Sequence, residues 1–394
     1  MTCGNMAAGA AQTEQKTRRI AAIPQKGRRM EFDTGGGLGD ASGGLTVAAL
    51  TEYGRKHECS DIHITSHRPP TFRKLGLLEP GPFKGSREEY RALILSMLNE
   101  PQTEALALGK DLDFSFEDAH GQRYRVNVYR QQNELAAALR ILRNGIPSMA
   151  DLHLPSAVQR LAEQPRGIVL VTGPTGSGKS TTLAAMIDYI NETRKAHIIT
   201  IEDPIEYIHP SKNCLVHQRE LHRDVPSFSD ALRSAMREDP DVILVGEMRD
   251  YETISAAVTA AETGHLVLST LHTTGAAQTL DRIVDVYPSH SQGMIRSQLS
   301  GVFRGVVTQT LVPLADGSGR IAATEILIGV DAVLNLIREG KYHQLGSTMQ
   351  AGAQMGMHTL AGNLAELTRK GLITRETAEQ NANNKAELAQ YLGF

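Results

Sequence analysis

A glycine-rich segment, Gly173-Pro174-Thr175-Gly176-Ser177-Gly178-Lys179-Ser180, followed by Thr181, contains residue types that could hold a phosphate group. Glycines lack a Cβ and therefore let backbone N–H groups turn inward around an anion. The Lys179 ammonium group is long enough to reach the β- and γ-phosphates of a nucleotide, and the Ser180 hydroxyl could ligate Mg²⁺. We therefore predict a nucleotide-binding site over residues 173–181.

The sequence on either side of this loop predicts the elements that such a site needs. Residues 167–172 form a short, β-branched apolar run typical of a buried strand. Apolar residues then recur at helical spacing from Leu183 to Ile190. A helix that begins at the loop would add the partial positive charge of its N-terminus. A plain Gly/Ser turn between two core elements is the alternative, and the complete order of strand, loop and helix disfavours it.

Two acids follow predicted strands at the end where ligands bind in an open α/β sheet. Glu202 follows the apolar run 197–201, and we expect it to polarise the attacking water, with Glu206 as a supporting acid. Glu247 follows the apolar run 242–246, and we expect it to deliver a carboxylate to phosphate-bound Mg²⁺. The alternatives are an ordinary Asp-Pro turn beside Glu202 and a solvated acid at Glu247.

Two histidines flank a fourth predicted strand, residues 265–274. His272 lies with Thr270 near the end of this strand, where a sensor of the γ-phosphate would have to be, and His265 lies at its start. We expect a functional role for both histidines, and a structural role is the alternative. Metal ligation is disfavoured because no third or fourth ligand is spaced nearby.

Basic residues of an earlier predicted strand are candidate phosphate ligands. Residues 123–129 alternate, so that Arg123 and Arg125 share the face opposite the apolar side chains. Two cations on one exposed face predict a clamp on a phosphate held by an adjacent domain or subunit, with Arg140 as a third candidate. A solvated strand face is the alternative.

The remaining sequence predicts the domains that position these residues. We expect a disordered tail over residues 1–43, since this segment contains little apolar surface. A small α+β domain over 44–143 should contain two outer strands, 111–116 and 123–129, and a turn at Pro69-Pro70. A linker over 144–155 should lead to an α/β domain with a mostly parallel sheet over 156–328 and a helical region over 329–394.

Sequence patterns predict three further secondary-structure elements, near the end of the α/β domain and beyond it. The apolar residues from Ile295 to Val306 predict one long core-facing helix. Residues 312–328 predict a hairpin whose turn is Asp316-Gly317-Ser318-Gly319. Residues 331–339 predict a further helix.

The composition disfavours several classes of protein. The 394 residues are 22% charged and 41% hydrophobic, with a net charge of −3 and no Trp, so nothing suggests a nucleic-acid-binding surface. No apolar run approaches the roughly 18–20 residues of a membrane span, and no signal peptide is evident. Cys3, Cys59 and Cys214 are isolated, which disfavours a disulfide framework and a zinc site. We therefore expect a cytoplasmic protein.

Together these motifs resemble those of the secretion ATPases of type IV pili and of type II and type IV secretion, over roughly residues 45–385. Gly173–Ser180 resembles the Walker A loop of this family, and Ile201–His209 resembles its aspartate box. Asp241–Glu247 resembles Walker B, and Gly264–His272 resembles the histidine box. The family's N-terminal arginines correspond to the three candidates already named: Arg123, Arg125 and Arg140.

The retraction branch of this family, the ATPases of twitching motility, is the most similar. Its members carry the helix sequence AIRNLIRE, and residues 332–339 here are AVLNLIRE, which differ at Val333 and Leu334. The extension ATPases carry a four-cysteine zinc motif and an additional N-terminal domain, and this chain shows neither.

The resemblance implies an α/β fold with a RecA-like P-loop ATPase core, a smaller PAS-like N-terminal α+β domain and a helical C-terminal appendix. It implies a homo-hexamer that binds ATP and Mg²⁺, with Ser180 and Glu247 as metal ligands, and whose sites receive arginines from an N-terminal domain. Hydrolysis coupled to rotation of the domains would power pilus retraction at the cytoplasmic face of the inner membrane. A pilus platform protein would be its membrane partner, and no nucleic-acid partner is expected.

Three alternatives stay open at this point. A pilus extension or secretion ATPase would share all of this chemistry. A DNA translocase also uses a RecA-like core, and is less favoured. A ring component that binds ATP without turnover is the least favoured, because the set of acids is complete.

Overall fold

The computed structural model describes residues 44–74, 76–142 and 145–393. The predicted tail, residues 1–43, lies outside these ranges together with Cys3. The chain divides into two compact units, with the division between Ile141 and Leu142. Among the residues that are described, no helix has the length and apolar character needed to cross a membrane.

The first unit is an α+β domain with one six-stranded sheet, in the order β3-β2-β1-β6-β5-β4, in which every pair is antiparallel. Its strands are β1 (Asp61–Thr65), β2 (Arg68–Lys74), β3 (Leu77–Pro80), β4 (Leu112–Glu117), β5 (Arg123–Gln131) and β6 (Glu134–Ile141). Its helices are α1 (Val47–Lys56), α2 (Arg87–Leu95) and α3 (Glu100–Ala107). Side chains of α1 and α2 and one face of the sheet form a single apolar core.

The alternation predicted for β5 is present, since Tyr124, Val126 and Val128 are buried and the arginines between them are partly exposed. The prediction that β5 is an outer strand is wrong. It lies between β4, which is the edge strand, and β6, which the sequence pattern did not predict. The reason is the run Ala136–Ala138 in the middle of β6, because alanine has a weak strand propensity. The predicted turn at Pro69-Pro70 is also wrong, since both prolines lie in β2.

The second unit contains a seven-stranded sheet in the order β13-β12-β7-β11-β10-β8-β9. Six strands, β7 to β12, run parallel to one another, and β13 is antiparallel to β12, as the mostly parallel prediction requires. The strands are β7 (Gly167–Thr172), β8 (His197–Glu202), β9 (Leu215–Glu220), β10 (Val242–Val245), β11 (Leu266–Leu271), β12 (Phe303–Pro313) and β13 (Arg320–Ile328).

Helices cover both faces of this sheet, and two apolar clusters, one per face, fill the space between them. The helices are α4 (Ser156–Ala162), α5 (Lys179–Thr193), α6 (Phe228–Ala235), α7 (Tyr251–Glu262), α8 (Ala276–Asp285), α9 (Gln292–Val302), α10 (Asp331–Glu339), α11 (Leu345–Ala351), α12 (Leu360–Arg369), α13 (Arg375–Asn381) and α14 (Lys385–Leu392). The three central strands β7, β11 and β10 are buried along their whole length.

One predicted helix is shorter than expected. The apolar face from Ile295 to Val306 is not continuous, because α9 ends at Val302 and β12 begins at Phe303. From Phe303 onward the backbone pairs with β7 and β13 instead, and it packs closely at Gly305. A Cβ added to Gly305 would lie 2.6 Å from a methyl carbon of Leu161 and 2.9 Å from the Leu327 carbonyl oxygen. The predicted hairpin and its turn at 316–319 are present, and α10 has the predicted bounds.

Candidate nucleotide-binding and active site

The loop between β7 and α5 has the backbone shape that a phosphate cradle needs. Gly173, Gly176 and Gly178 have φ values of +143°, +79° and +89°, which ordinary residues rarely adopt. A Cβ on Gly173 would lie 2.2 Å from the carbonyl oxygen of Gln309 and 2.7 Å from the Ser177 Oγ atom. Glycine is therefore required there by both conformation and space.

Ser177 shows that the loop is adapted to an anion. Its side chain is buried, and its Oγ atom has no hydrogen-bond partner. A buried hydroxyl without a partner costs about 1–3 kcal/mol. A phosphate oxygen at the loop would accept this hydrogen bond. The residues present thus fit the phosphates of a nucleotide.

Lys179 begins α5 and turns back toward the loop. Its ammonium group donates to the carbonyl oxygens of Gly173 (2.9 Å) and Pro174 (3.0 Å). Burial lowers the pKa of Lys179, and the negative charges of Glu206 and Glu247 oppose this shift. The ammonium group is therefore a buried cation beside the glycine turn, where a triphosphate would neutralise it.

Glu202 and Glu247 lie at the carboxyl edge of the same sheet. Their strands, β8 and β10, are parallel neighbours, and the Gly246 N–H donates to the Ile201 carbonyl at 2.8 Å. The Glu202 carboxylate accepts hydrogen bonds from Thr200 (2.7 Å) and Gln218 (3.1 Å). Burial nevertheless raises the pKa of Glu202 to about 7, which suits a proton acceptor near neutral pH.

Glu247 and His272 are brought together at this edge. The Glu247 carboxylate lies 2.7 Å from Nε of Arg249 and 3.6 Å from Nε2 of His272. Thr270 donates its hydroxyl to the Gly246 carbonyl at 2.7 Å and so ties β11 to the end of β10.

Ser180 and Glu247 also fit the metal that the motif implies. Ser180 is exposed in the first turn of α5, beside Lys179. No group of three or more His, Cys, Asp or Glu side chains with metal-binding geometry occurs among the described residues. A Mg²⁺ site with one hydroxyl and one carboxylate matches an ion that keeps water and phosphate oxygens as its other ligands.

The structure does not bring His265 to this edge. It precedes β11 at the amino end, so the six-residue strand, roughly 20 Å long, separates it from His272. Its Nδ1 atom contacts the Ala260 carbonyl (2.7 Å) and the Thr263 hydroxyl (3.1 Å) at the end of α7. The functional role predicted for His265 therefore stays a prediction without a contact to the loop of its own chain.

The three candidate arginines lie on one face of the first unit's sheet. Arg125 and Arg140 are directly opposite each other on β5 and β6. Arg125 pairs with Asp113 through both Nε (3.2 Å) and Nη2 (2.7 Å), and Arg140 pairs with Asp61 at 3.1 Å. Arg123 donates to the Ser115 hydroxyl at 3.0 Å.

Gln309, in β12, is a site residue that the sequence analysis missed. Its Nε2 atom donates to the Ser177 carbonyl at 2.7 Å, and its Oε1 atom accepts from the Thr182 hydroxyl at 2.9 Å. The side chain is buried and links the loop to the first turn of α5. The one available signal was a polar triplet, Thr308 to Thr310, inside an otherwise apolar strand.

We expect Gln309→Leu to raise the KM for ATP about tenfold and to lower the free energy of unfolding by about 2 kcal/mol. The reason is that the Ser177 carbonyl and the Thr182 hydroxyl would both stay buried without a partner. Nucleotide titration and urea denaturation measure the two effects. Thr310→Val is the matched control in the same strand. Equal values for the two variants would contradict this role of Gln309.

Comparisons with known proteins show one matching protein family and relatives that are similar over most of the chain. Residues 127–386 match the sequence profile of the family described as type II/IV secretion system protein. The chain is 49% identical to the type IV pilus retraction ATPase PilT of Pseudomonas aeruginosa over 341 residues, which are 86% of this chain and 98% of the relative. It is 53% identical to a twitching motility protein of Neisseria gonorrhoeae over 304 residues, 77% of this chain and 81% of the relative.

A solved structure agrees with these sequences. The crystal structure of the pilus retraction motor PilT with bound ADP superposes with a TM-score of 0.82 at 44% identity. The match covers 88% of this chain and 99% of that one. The predicted fold class is confirmed by this likeness.

Proposed function

The chain belongs to the type II/IV secretion ATPase family and resembles its pilus retraction members, and on this premise we propose that it is the motor that retracts type IV pili. It is an ATPase that binds nucleotide. The observation that carries the proposal is the edge of the second sheet, where the loop with Lys179 follows β7 and the acids Glu202 and Glu247 lie at the ends of β8 and β10. The chain is also similar to a retraction ATPase over 86% of its length.

The geometry supports a separate role for each of these residues in ATP hydrolysis. The loop N–H groups, the Ser177 hydroxyl and Lys179 would bind the phosphates and neutralise their charge. Glu202 would hold the attacking water and accept its proton as the bond from the γ-phosphorus to ADP breaks. Ser180 and Glu247 would hold Mg²⁺, which when bound neutralises charge on the β- and γ-phosphate oxygens. His272, 3.6 Å from Glu247, would sense the γ-phosphate.

We further propose that arginines of a neighbouring subunit complete each site in a hexameric ring. Arg125 and Arg140 now pair with Asp113 and Asp61, and both arginines are partly exposed. The Arg125–Asp113 pair is exposed on both sides and contributes little, so exchange of Asp113 for a phosphate partner costs little. Closure that brings these arginines to the γ-phosphate would couple hydrolysis to rotation of the domains.

Arg125→Ala is expected to lower kcat by about 10³-fold, the lower end of the range for an arginine that stabilises phosphoryl transfer. Arg91→Ala, on the exposed face of α2, is the matched control and should hydrolyse ATP normally. A mixture of Arg125→Ala and Lys179→Ala subunits should recover activity, because some sites then combine an intact loop with an intact arginine. No recovery in mixed rings would show that the arginine acts within its own chain or not at all.

Deletion of the gene in its host tests the cellular role. We expect hyperpiliated cells without twitching motility, because pili would still be assembled but not withdrawn. Cells without pili would instead indicate an extension ATPase, and normal pili with lost protein export would indicate a secretion ATPase.

We place the ring at the cytoplasmic face of the inner membrane, held there by a pilus platform protein, with no nucleic-acid partner. DNA should accordingly fail to stimulate its ATPase activity.

A further inference from the structure

We propose that Gln218, in β9, is a positioning residue that holds the Glu202 carboxylate in the orientation needed to activate water. This inference rests on the proposed function, in which Glu202 accepts the proton of the attacking water. β9 is the edge strand of the sheet, and neither β9 nor Gln218 belongs to any of the sequence motifs.

The Gln218 carboxamide uses both its N–H groups and its oxygen. Nε2 donates to Oε1 of Glu202 (3.1 Å) and to the carbonyl oxygen of Tyr207 (2.8 Å). Oε1 accepts from the backbone N–H of His209 (2.8 Å). One side chain therefore joins the proposed base to both ends of a short stretch of the loop that follows β8.

These partners define the orientation of the amide group. A flipped carboxamide would place its oxygen against a carboxylate and a carbonyl, and its NH₂ group against an N–H donor. Only the arrangement observed satisfies all three contacts. The side chain is therefore held in one orientation relative to Glu202.

Two side-chain donors hold the same oxygen of the Glu202 carboxylate. Thr200, which is the register partner of Gln218, also donates to Oε1 of Glu202. The backbone N–H of Glu206 is a further donor to this carboxylate. A carboxylate held by two donors on one oxygen cannot rotate freely about its terminal bond, and such preorganisation accounts for a large share of rate in enzymes.

Three further acids lie near this carboxylate in the fold. Burial is the main cause that raises the pKa of Glu202, and the charge of Glu206, in the loop after β8, adds to it. The hydrogen bonds from Thr200, from Gln218 and from the Glu206 backbone N–H lower the pKa. On the adjacent strands, Glu220 is the register partner of Glu202 and Glu247 follows β10. In this acidic surrounding, the donated hydrogen bonds favour the ionised base.

The test compares steady-state ATP hydrolysis by the full-length chain and its Gln218→Leu variant between pH 5.5 and 9. We expect kcat to fall about 10–100-fold, the loss that misplacement of a reacting group by about 1 Å produces. The KM for ATP should stay within about twofold, because the hydrogen bonds of Gln218 go to Glu202, Tyr207 and His209 rather than to the phosphate loop. The acid limb of the kcat profile should move to higher pH, since one donor to the carboxylate is lost.

Two further variants separate positioning from simple structural damage. Gln218→Glu keeps the size of the side chain and its acceptance from His209, but removes the donor to Glu202 and adds a second carboxyl group. It should move the acid limb further than Gln218→Leu does. His217→Leu, the neighbouring residue in the same strand, removes a contact with His197 instead and should leave kcat and the pH profile unchanged.

The outcomes distinguish this inference from the proposed function. If Glu202→Gln is inactive while both Gln218 variants keep the kcat and the pH profile of the wild type, only the positioning role is overturned. An equal loss in Gln218→Leu and His217→Leu, without movement of the acid limb, also overturns it. If the unaltered chain hydrolyses no ATP, or Glu202→Gln hydrolyses it normally, the proposed function itself has failed.

Discussion

Lys179→Ala is expected to lower kcat for ATP hydrolysis by at least about 10²–10³-fold, which is the loss seen when one preorganised donor to developing charge is removed. The Lys179 ammonium group is the buried cation of the phosphate loop, held by the carbonyl oxygens of Gly173 and Pro174. Without it, the negative charge of the β- and γ-phosphates would lack its nearest counter-charge within the loop. Nucleotide affinity and turnover should therefore fall together, and a phosphate-release assay with ATP titration measures both.

The variant should still fold, because the loop glycines and the hydrogen bond from Gln309 to the Ser177 carbonyl remain in place. Circular dichroism and thermal unfolding check this point. Lys195→Ala is the matched control, since Lys195 is an exposed lysine just past the far end of α5, roughly 20 Å away. ATPase activity of Lys179→Ala at the level of the control would remove the basis of the proposed site.

Glu202→Gln should bind ATP normally and lose turnover by about 10²–10⁴-fold, the contribution of a positioned general base. Glutamine keeps the shape of the side chain and can still accept hydrogen bonds from Thr200 and Gln218 through its oxygen. It cannot take a proton from water. Nucleotide binding, measured by titration, and single-turnover hydrolysis separate the two steps, so binding with lost chemistry is the expected pattern.

The pH dependence of the unaltered enzyme provides an independent measurement of the same group. Because burial raises the pKa of Glu202 to about 7, the carboxyl group becomes protonated as the pH falls through 7, and kcat should fall with it. In Glu202→Gln the residual rate should lack this acid limb. Glu252→Gln, on the exposed side of α7, is the control and should retain both the rate and the limb. A limb that persists unchanged in Glu202→Gln would assign the titration to another group.

Local sequence predicted much of this site because each motif joins a strand end to the loop that follows it. Contacts between residues close in the chain determine the strand before residues 173–180 and the helix after them. The same holds for the acids at the ends of β8 and β10. Parallel strands align their carboxyl ends, so Lys179, Glu202, Glu247 and His272 could be placed together without coordinates. For the same reason His265 could have been excluded from this edge, since it lies at the amino end of its strand.

Other features depended on pairing between distant segments. β6 has an alanine-rich centre, and its place between β1 and β5 follows from packing rather than from propensity. The end of α9 at Val302 follows from the pairing of the next residues with β7 and β13. Periodicity does not distinguish a helix that continues from a strand that begins when both bury apolar side chains.

The amino-acid sequence by itself predicted the residues of the proposed chemistry, namely a glycine loop with its lysine, and acids at successive strand ends, because local backbone geometry places those residues. Tertiary structure alone decided which glutamines hold that chemistry in place. Gln309 reaches the loop from more than 100 residues away, and Gln218 reaches Glu202 across a strand pair whose register no local pattern records. A buried polar side chain acquires its role from the partners that folding brings to it, and those partners are fixed only when the sheet is assembled.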